Sequence, residues 1–118
     1  MLINLTNHPS ALWTKEQREA CAGFDGIMDM KFPSVDPAWD EDDIARAADD
    51  ICRRLMGIKG VEAVHVAGEH TLTFAIVARL LRAGIRCLTS TTERSSVDLP
   101  DGRIIKTFRF VRLREYRL

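Results

Sequence analysis

At 118 residues and a formal net charge of zero, the chain has room for one domain with a real core and too little for two. Hydrophobic content of 46% and charged content of 29% suit a folded globular protein. No apolar run approaches the roughly 20 residues of a membrane span, and the N-terminus lacks the basic-then-apolar pattern of a signal peptide, which predicts a cytoplasmic protein with no membrane partner.

Three cysteines (Cys21, Cys52, Cys87) are odd in number, far apart and without CxxC spacing, so they read as reduced, buried apolar residues. The zero charge hides an asymmetry. Residues 1–60 hold 7 Lys/Arg against 11 Asp/Glu, and residues 61–118 hold 10 against 6. Such a dipolar chain can bind an anion on its second half or pair with a second copy of itself.

Leu2 to Thr6 reads as a first strand, stopped at Asn7-His8-Pro9-Ser10 because Pro9 forces His8 out of helical geometry. A helix follows from Ser10 or Thr14, where Thr14 and Gln17 match a capping box, and Gly23 ends it. Gly26 to Phe32 is a second strand, and the proline-rich Pro33–Trp39 a loop. Asp40 to Asp43 give the second helix an acidic start that suits its dipole, and Ile44, Ala47, Ala48, Ile51, Cys52 and Leu55 form its apolar stripe. The seven carboxylates between Asp36 and Asp50 show no calcium-loop spacing, and no metal is expected.

Val61 to Arg94 is the organising stretch. Val61–Ala67 is a strand ending at Gly68-Glu69-His70-Thr71, Leu72–Ala83 is a helix with Gly84 as its stop, and Ile85–Thr89 is a strand running into the polar Ser90-Thr91-Thr92-Glu93-Arg94. A strand-helix-strand unit of this length is a right-handed crossover. Ser95–Leu99, the turn Pro100-Asp101-Gly102 and the strand Arg103–Tyr116 then form a hairpin, whose mixed facing predicts either burial on both faces or a side-switching bulge near Phe110. The order predicts a three-layer α/β sandwich, Rossmann-like, with a mainly parallel sheet and an antiparallel addition at its C-terminal edge.

Open parallel sheets bind ligands at the carboxyl ends of their strands. The loops expected there offer Asn7, His8, Ser10, Gly68, Glu69, His70, Thr71, Thr91, Thr92 and Arg94, a set of hydroxyls, imidazoles and one guanidinium that suits a phosphate-bearing ligand. No Walker A, GxGxxG, GxSxG, HExxH or CxxC motif is present, so no cofactor is expected. Structural roles compete: Thr71 and Glu69 at a helix start, His70 as a loop residue, His65 within a strand, and Thr91 and Thr92 as strand formers. The cationic last strand also suits an edge protected against aggregation.

The strand into Asn7-His8-Pro9, the stretch from Ile27 with Asp29, Phe32-Pro33 and Asp36-Pro37, the Val64-His65-Val66-Ala67-Gly68-Glu69 turn and the strand into Ser90–Arg94 resemble small stand-alone CRISPR-associated proteins of the CARF group (CRISPR-associated Rossmann fold). The resemblance implies a single CARF-like domain over residues 1–118, a homodimer, and a cyclic oligoadenylate bound where strands end, with no DNA partner. It further implies ring-nuclease activity, metal-independent attack of a ribose 2′-OH on the adjacent phosphodiester. His8 or His70 would then be general acid or base, Arg94 would hold the phosphoryl group as part of the catalytic set, and Asn7, Ser10, Gly68, Glu69, Thr71, Thr91 and Thr92 would bind the ligand. The alternatives are a nucleotide-binding module without turnover and a protein-interaction module.

Overall fold

The computed structural model describes all residues from Met1 to Leu118. The elements are β1 (Leu2–Thr6), a 3-10 turn (Ser10–Leu12), α1 (Lys15–Ala20), β2 (Ile27–Lys31), α2 (Glu41–Met56), β3 (Ala63–Val66), α3 (His70–Arg82), β4 (Arg86–Asp98) and β5 (Ile104–Glu115). They build one five-stranded sheet in the order β2-β1-β3-β4-β5, parallel from β2 through β4 and antiparallel between β4 and β5. The fold is thus mixed α/β, with three helices and a mostly parallel sheet.

Strand alternation sorts the side chains onto two covered faces. Ile3, Leu5, Val64, Val66 and Cys87 turn toward α2 and α3, where they meet Ile51, Leu55, Leu72, Ile76 and Leu80 in the main core. Leu2, Ala63 and Leu88 turn the other way and pack with Trp13 and Cys21 around α1. Both faces of β1 are covered, and all five of its residues are buried.

The helix ends follow local chemistry. Asp40 caps α2 by accepting from Asp43 N–H, and Asp43 accepts in return from Asp40 N–H, a reciprocal box that satisfies two orphan donors. Thr14 caps α1 through Gln17 N–H, but the Gln17 amide turns into the sheet instead of back to the cap. Gly84 takes φ +80° just after α3, the left-handed stop its position predicts.

The last third departs from the sequence-based expectation. Ser90–Arg94 is not a turn: β4 runs unbroken from Arg86 to Asp98 and pairs with β5 throughout. The threonine- and serine-rich run favours strand geometry, and nothing breaks it before Pro100–Gly102. From Thr92 onward its polarity reflects exposure on both faces. The expected bulge is present: Thr91 faces Arg112 while Thr92 faces Phe110, leaving Val111 as the extra residue.

One close approach holds β2 to β3. A Cβ on Gly68 would lie 2.3 Å from the ring of buried Phe32. Gly68→Ala is expected to cost about 1–3 kcal/mol in urea unfolding through overpacking, and Phe32→Leu in the same chain should recover part of that loss.

Candidate functional site

β1 and β3 lie side by side and parallel, and the chain winds outward from them in opposite directions, from β1 to β2 and from β3 to β4. The loops after β1 (Asn7 to Ser10) and after β3 (Gly68 to Thr71) therefore emerge together at one rim. Asn7, His8 and His70 are exposed there. A cleft of about 310 Å³ opens beside Asn7 between the ends of β1 and β2, walled by Asn4, Thr6, Asn7, Asp29 and Lys31, while His70 lines a separate cleft of about 290 Å³ with Phe74, Tyr116 and Arg117.

Several rim donors are already engaged. Glu69 is the N-cap of α3, accepting from Thr71 N–H at 3.0 Å, Leu72 N–H at 2.8 Å and the Thr71 hydroxyl at 2.7 Å. The Thr71 hydroxyl bond and those backbone bonds hold the Glu69 carboxyl below its ordinary pKa. Ser10 donates its N–H and its hydroxyl, each at 3.1 Å, to Asp29. Burial opposes ionisation of Asp29, but the hydrogen bonds from Asn4 and Ser10 outweigh it and lower its pKa. Gly68 accommodates the Phe32 ring.

Thr91, Thr92 and Arg94 lie within the strand β4 and not on a rim loop. In the register that sets His65 opposite Leu88, Gly68 is level with Thr91, so Arg94 stands three residues further along, about 10 Å at a strand's rise. Thr91 spends its hydroxyl on the backbone of Arg112, and the Arg94 guanidinium lies 5.8 Å from the centre of the Phe108 ring. The sequence-based expectation set these residues on a turn after Thr89, whereas β4 carries on through them to Asp98. Lys31, which the sequence reading passed over, reaches the rim because β2 lies beside β1. The alternation in Ile27–Lys31 places it on the same face as Asp29, a signal readable only once that register is known.

Beneath the rim a row of polar side chains crosses the sheet on the α1 face. The Asn4 amide donates to Asp29 at 2.9 Å and to the His8 carbonyl at 3.0 Å. Both are acceptors, which fixes the amide orientation. Asn4 Oδ1 then accepts from the Thr6 hydroxyl at 2.9 Å and from His65 Nδ1 at 3.2 Å. His65 is thereby the Nδ1–H tautomer, and its Nε2 accepts the Ser90 hydroxyl at 2.7 Å, while Gln17 donates to Ser90 Oγ at 2.9 Å. The Trp13 ring meets His65 edge-on at 5.3 Å and donates its indole N–H to the His8 carbonyl.

Ser90, His65 and Asn4 have the order of a nucleophile, base and orienting group. Yet none of the principal clefts is lined by Ser90, and its oxygen already accepts from Gln17. The row positions the His8 loop from below. A separate open cleft of about 580 Å³ at the root of β5 gathers Arg86, Arg112, Arg114 and Arg117, with Arg86 tied to Glu115 at 2.7 Å.

His65 is 4% exposed, and burial, aided by repulsion from His8, lowers its pKa to about 4. The unfolded chain titrates this imidazole near 6.5, so its contribution to stability is full above that pH and is lost as pH falls from about 6.5 to about 4. The difference corresponds to about 3 kcal/mol. Urea unfolding between pH 7 and pH 4 should show a loss of that size, and His65→Gln should flatten that part of the profile. The carboxyls with lowered pKa, such as Asp29 and Glu69, add their losses at the acidic end.

No curated protein matches the chain. A family match covers residues 1–114, nearly the whole domain including the rim, the buried row and the arm. The chain belongs to the family described as the "Uncharacterized protein MJ1673 family".

Proposed function

We propose that this is a Rossmann-like, CARF-like domain that binds a cyclic oligoadenylate at the carboxyl rim of β1 and β3 and cleaves it as a ring nuclease. One observation carries the reading. Two loops bearing exposed imidazoles, His8 and His70, leave adjacent parallel strands where the winding direction reverses, the position at which open α/β sheets take their ligands. The resemblance in the Asn7-His8-Pro9 and Gly68-Glu69 segments supplies the ligand class.

In the proposed reaction one imidazole removes the proton from a ribose 2′-OH. The resulting oxygen attacks the adjacent phosphorus, forming a 2′,3′-cyclic phosphate and breaking the bond to the 5′ oxygen, which takes a proton from the second imidazole. Lys31 and Asn7 on the cleft wall are placed to hold phosphoryl oxygens. The carbonyl of His8 accepts from Asn4 and Trp13 while its N–H donates to the Thr6 hydroxyl oxygen, which keeps that loop in one position before ligand arrives.

A second reading, binding without turnover, is favoured by Glu69 and Asp29. These carboxylates already occupy the α3 N-terminus and the Ser10 donors, where a reacting phosphate would gain most.

Incubation with cyclic tetra-adenylate and cyclic hexa-adenylate, followed by chromatography, separates these readings. Linear products ending in a 2′,3′-cyclic phosphate are expected, and His8→Ala should slow their formation by about 100-fold or more. Arg82→Ala, on the last turn of α3 at the end away from the rim, should leave the rate unchanged. Tight binding with an intact ring would leave only the binding module, and no binding of either ring would overturn both.

A further inference from the structure

The β4–β5 arm extends past the rest of the sheet with apolar side chains on both faces. Val97, Ile104, Ile105, Phe108 and Val111 are between 46% and 65% exposed. The radius of gyration is 16.1 Å, against roughly 13.5 Å for a compact chain of this length. A two-stranded hairpin alone is marginal in water. From Thr89 onward β4 also has an edge that β3 does not reach.

The hydrogen bonds show which groups face that edge. Leu99 donates its N–H to the Arg103 carbonyl, so the odd-numbered residues of the arm's β4 strand turn their backbone groups toward β5. Thr92, Arg94, Ser96 and Asp98 turn theirs outward. Charge then selects a register. Glu93 is paired with Arg109 and Asp101 with Arg103, whereas Arg94 and Asp98, four residues apart on one face, have no ion partner in the chain.

We propose that two copies of the chain pair through this edge, β4 antiparallel to β4, with the two-fold axis at Ser96. Arg94 then faces the partner's Asp98, and Asp98 the partner's Arg94. Sliding by two residues sets Arg94 against serine or proline, and sliding by four in one direction sets it against the partner's Arg94. Outward-facing backbone groups meet in hydrogen-bonded pairs in this register.

The pairing also reaches the rim. The partner's β4 continues the line of β3, because both lie along the same edge of β4. The partner's Pro100, the partner's Asp101 and the partner's Gly102 fall opposite Thr92 to Ser90, directly past the end of β3 and beside the Gly68–Thr71 loop. Each copy thus caps the other's rim with its hairpin turn. The significance of that cap for ligand rests on the reading of the rim proposed above, but the pairing itself does not.

Light scattering at micromolar concentration should give a dimer. In a hydrogen-bonded antiparallel pair the opposed Cα atoms are about 5.5 Å apart, within disulfide range. Mild oxidation of Ser96→Cys should therefore yield a covalent dimer, and Thr107→Cys on the outer strand should not. Cys21, Cys52 and Cys87 are buried and do not compete. Arg94→Asp should raise the dimer dissociation constant by about tenfold or more, since like charges directly opposite repel, and adding Asp98→Arg should restore it. A monomer at that concentration, including one whose arm instead binds nucleic acid or another protein, overturns the proposal. So does a dimer that S96C fails to cross-link, or a charge-swapped double variant without recovery. These measurements use no ligand, so their failure leaves the messenger-binding reading standing, and the failure of that reading leaves them untouched.

Discussion

The sheet depends on keeping a row of polar groups satisfied where it is otherwise apolar. Asn4, Thr6, Gln17 and His65 are all buried, and a buried donor or acceptor left unpaired costs about 1–3 kcal/mol. Every link in the row has one workable orientation, because Asp29 and the His8 carbonyl can only accept. That constraint runs through Asn4 to the tautomer of His65 and on to Ser90 and Gln17. The row ties β2, β1, β3 and β4 to α1, and it explains why Gln17 turns inward instead of completing a capping box.

The same row organises the rim above it. Asn4 and Trp13 converge on the His8 carbonyl and Thr6 accepts from the His8 N–H, so the loop carrying His8 is held from beneath without using its imidazole. Glu69 and Asp29 neutralise backbone and hydroxyl donors that an anion would otherwise attract. The side chains of His8, His70, Asn7 and Lys31 are left without hydrogen-bond partners in the chain, in contrast to the capped helix terminus. Positioning and charge are divided between different residues, which lets the loop be rigid while its imidazoles remain exposed.

The arm obeys a different logic. The main core gathers side chains from β1, β3, α2 and α3, together with Cys87 at the root of β4. Beyond Leu88, α1 reaches only Ser90 and the Phe110–Leu113 part of β5, and beyond Thr92 the hairpin is held by its own ladder, the Glu93–Arg109 pair and the Ser95–Thr107 contact. Cross-strand pairs of this kind contribute roughly 0.2–1 kcal/mol each. That is little against the entropy of ordering more than a dozen residues.

Much of the fold was legible in the residues themselves. Apolar spacing at three and four marked α2 and α3, Gly84 marked a helix end, Pro100-Asp101-Gly102 marked the hairpin turn, and the mixed facing of Phe108 to Leu113 announced the bulge. These are local signals, set by backbone geometry over one or two turns of chain. The parallel order of the first four strands followed from alternating strands and helices, and with it the meeting of the Asn7–Ser10 and Gly68–Thr71 loops. What only the tertiary structure decided were matters of partner and register. Ser90–Arg94 has the composition of a loop and the geometry of a strand, because β5 lies beside it, and polarity in a two-sided exposed strand carries no information about where it stops. Gly68 answers to Phe32, which is 36 residues away in sequence. His65 is a lone mid-strand histidine until Asn4 and Ser90 are brought to its two nitrogens, since a sequence records which groups need partners but not which distant strand will supply them.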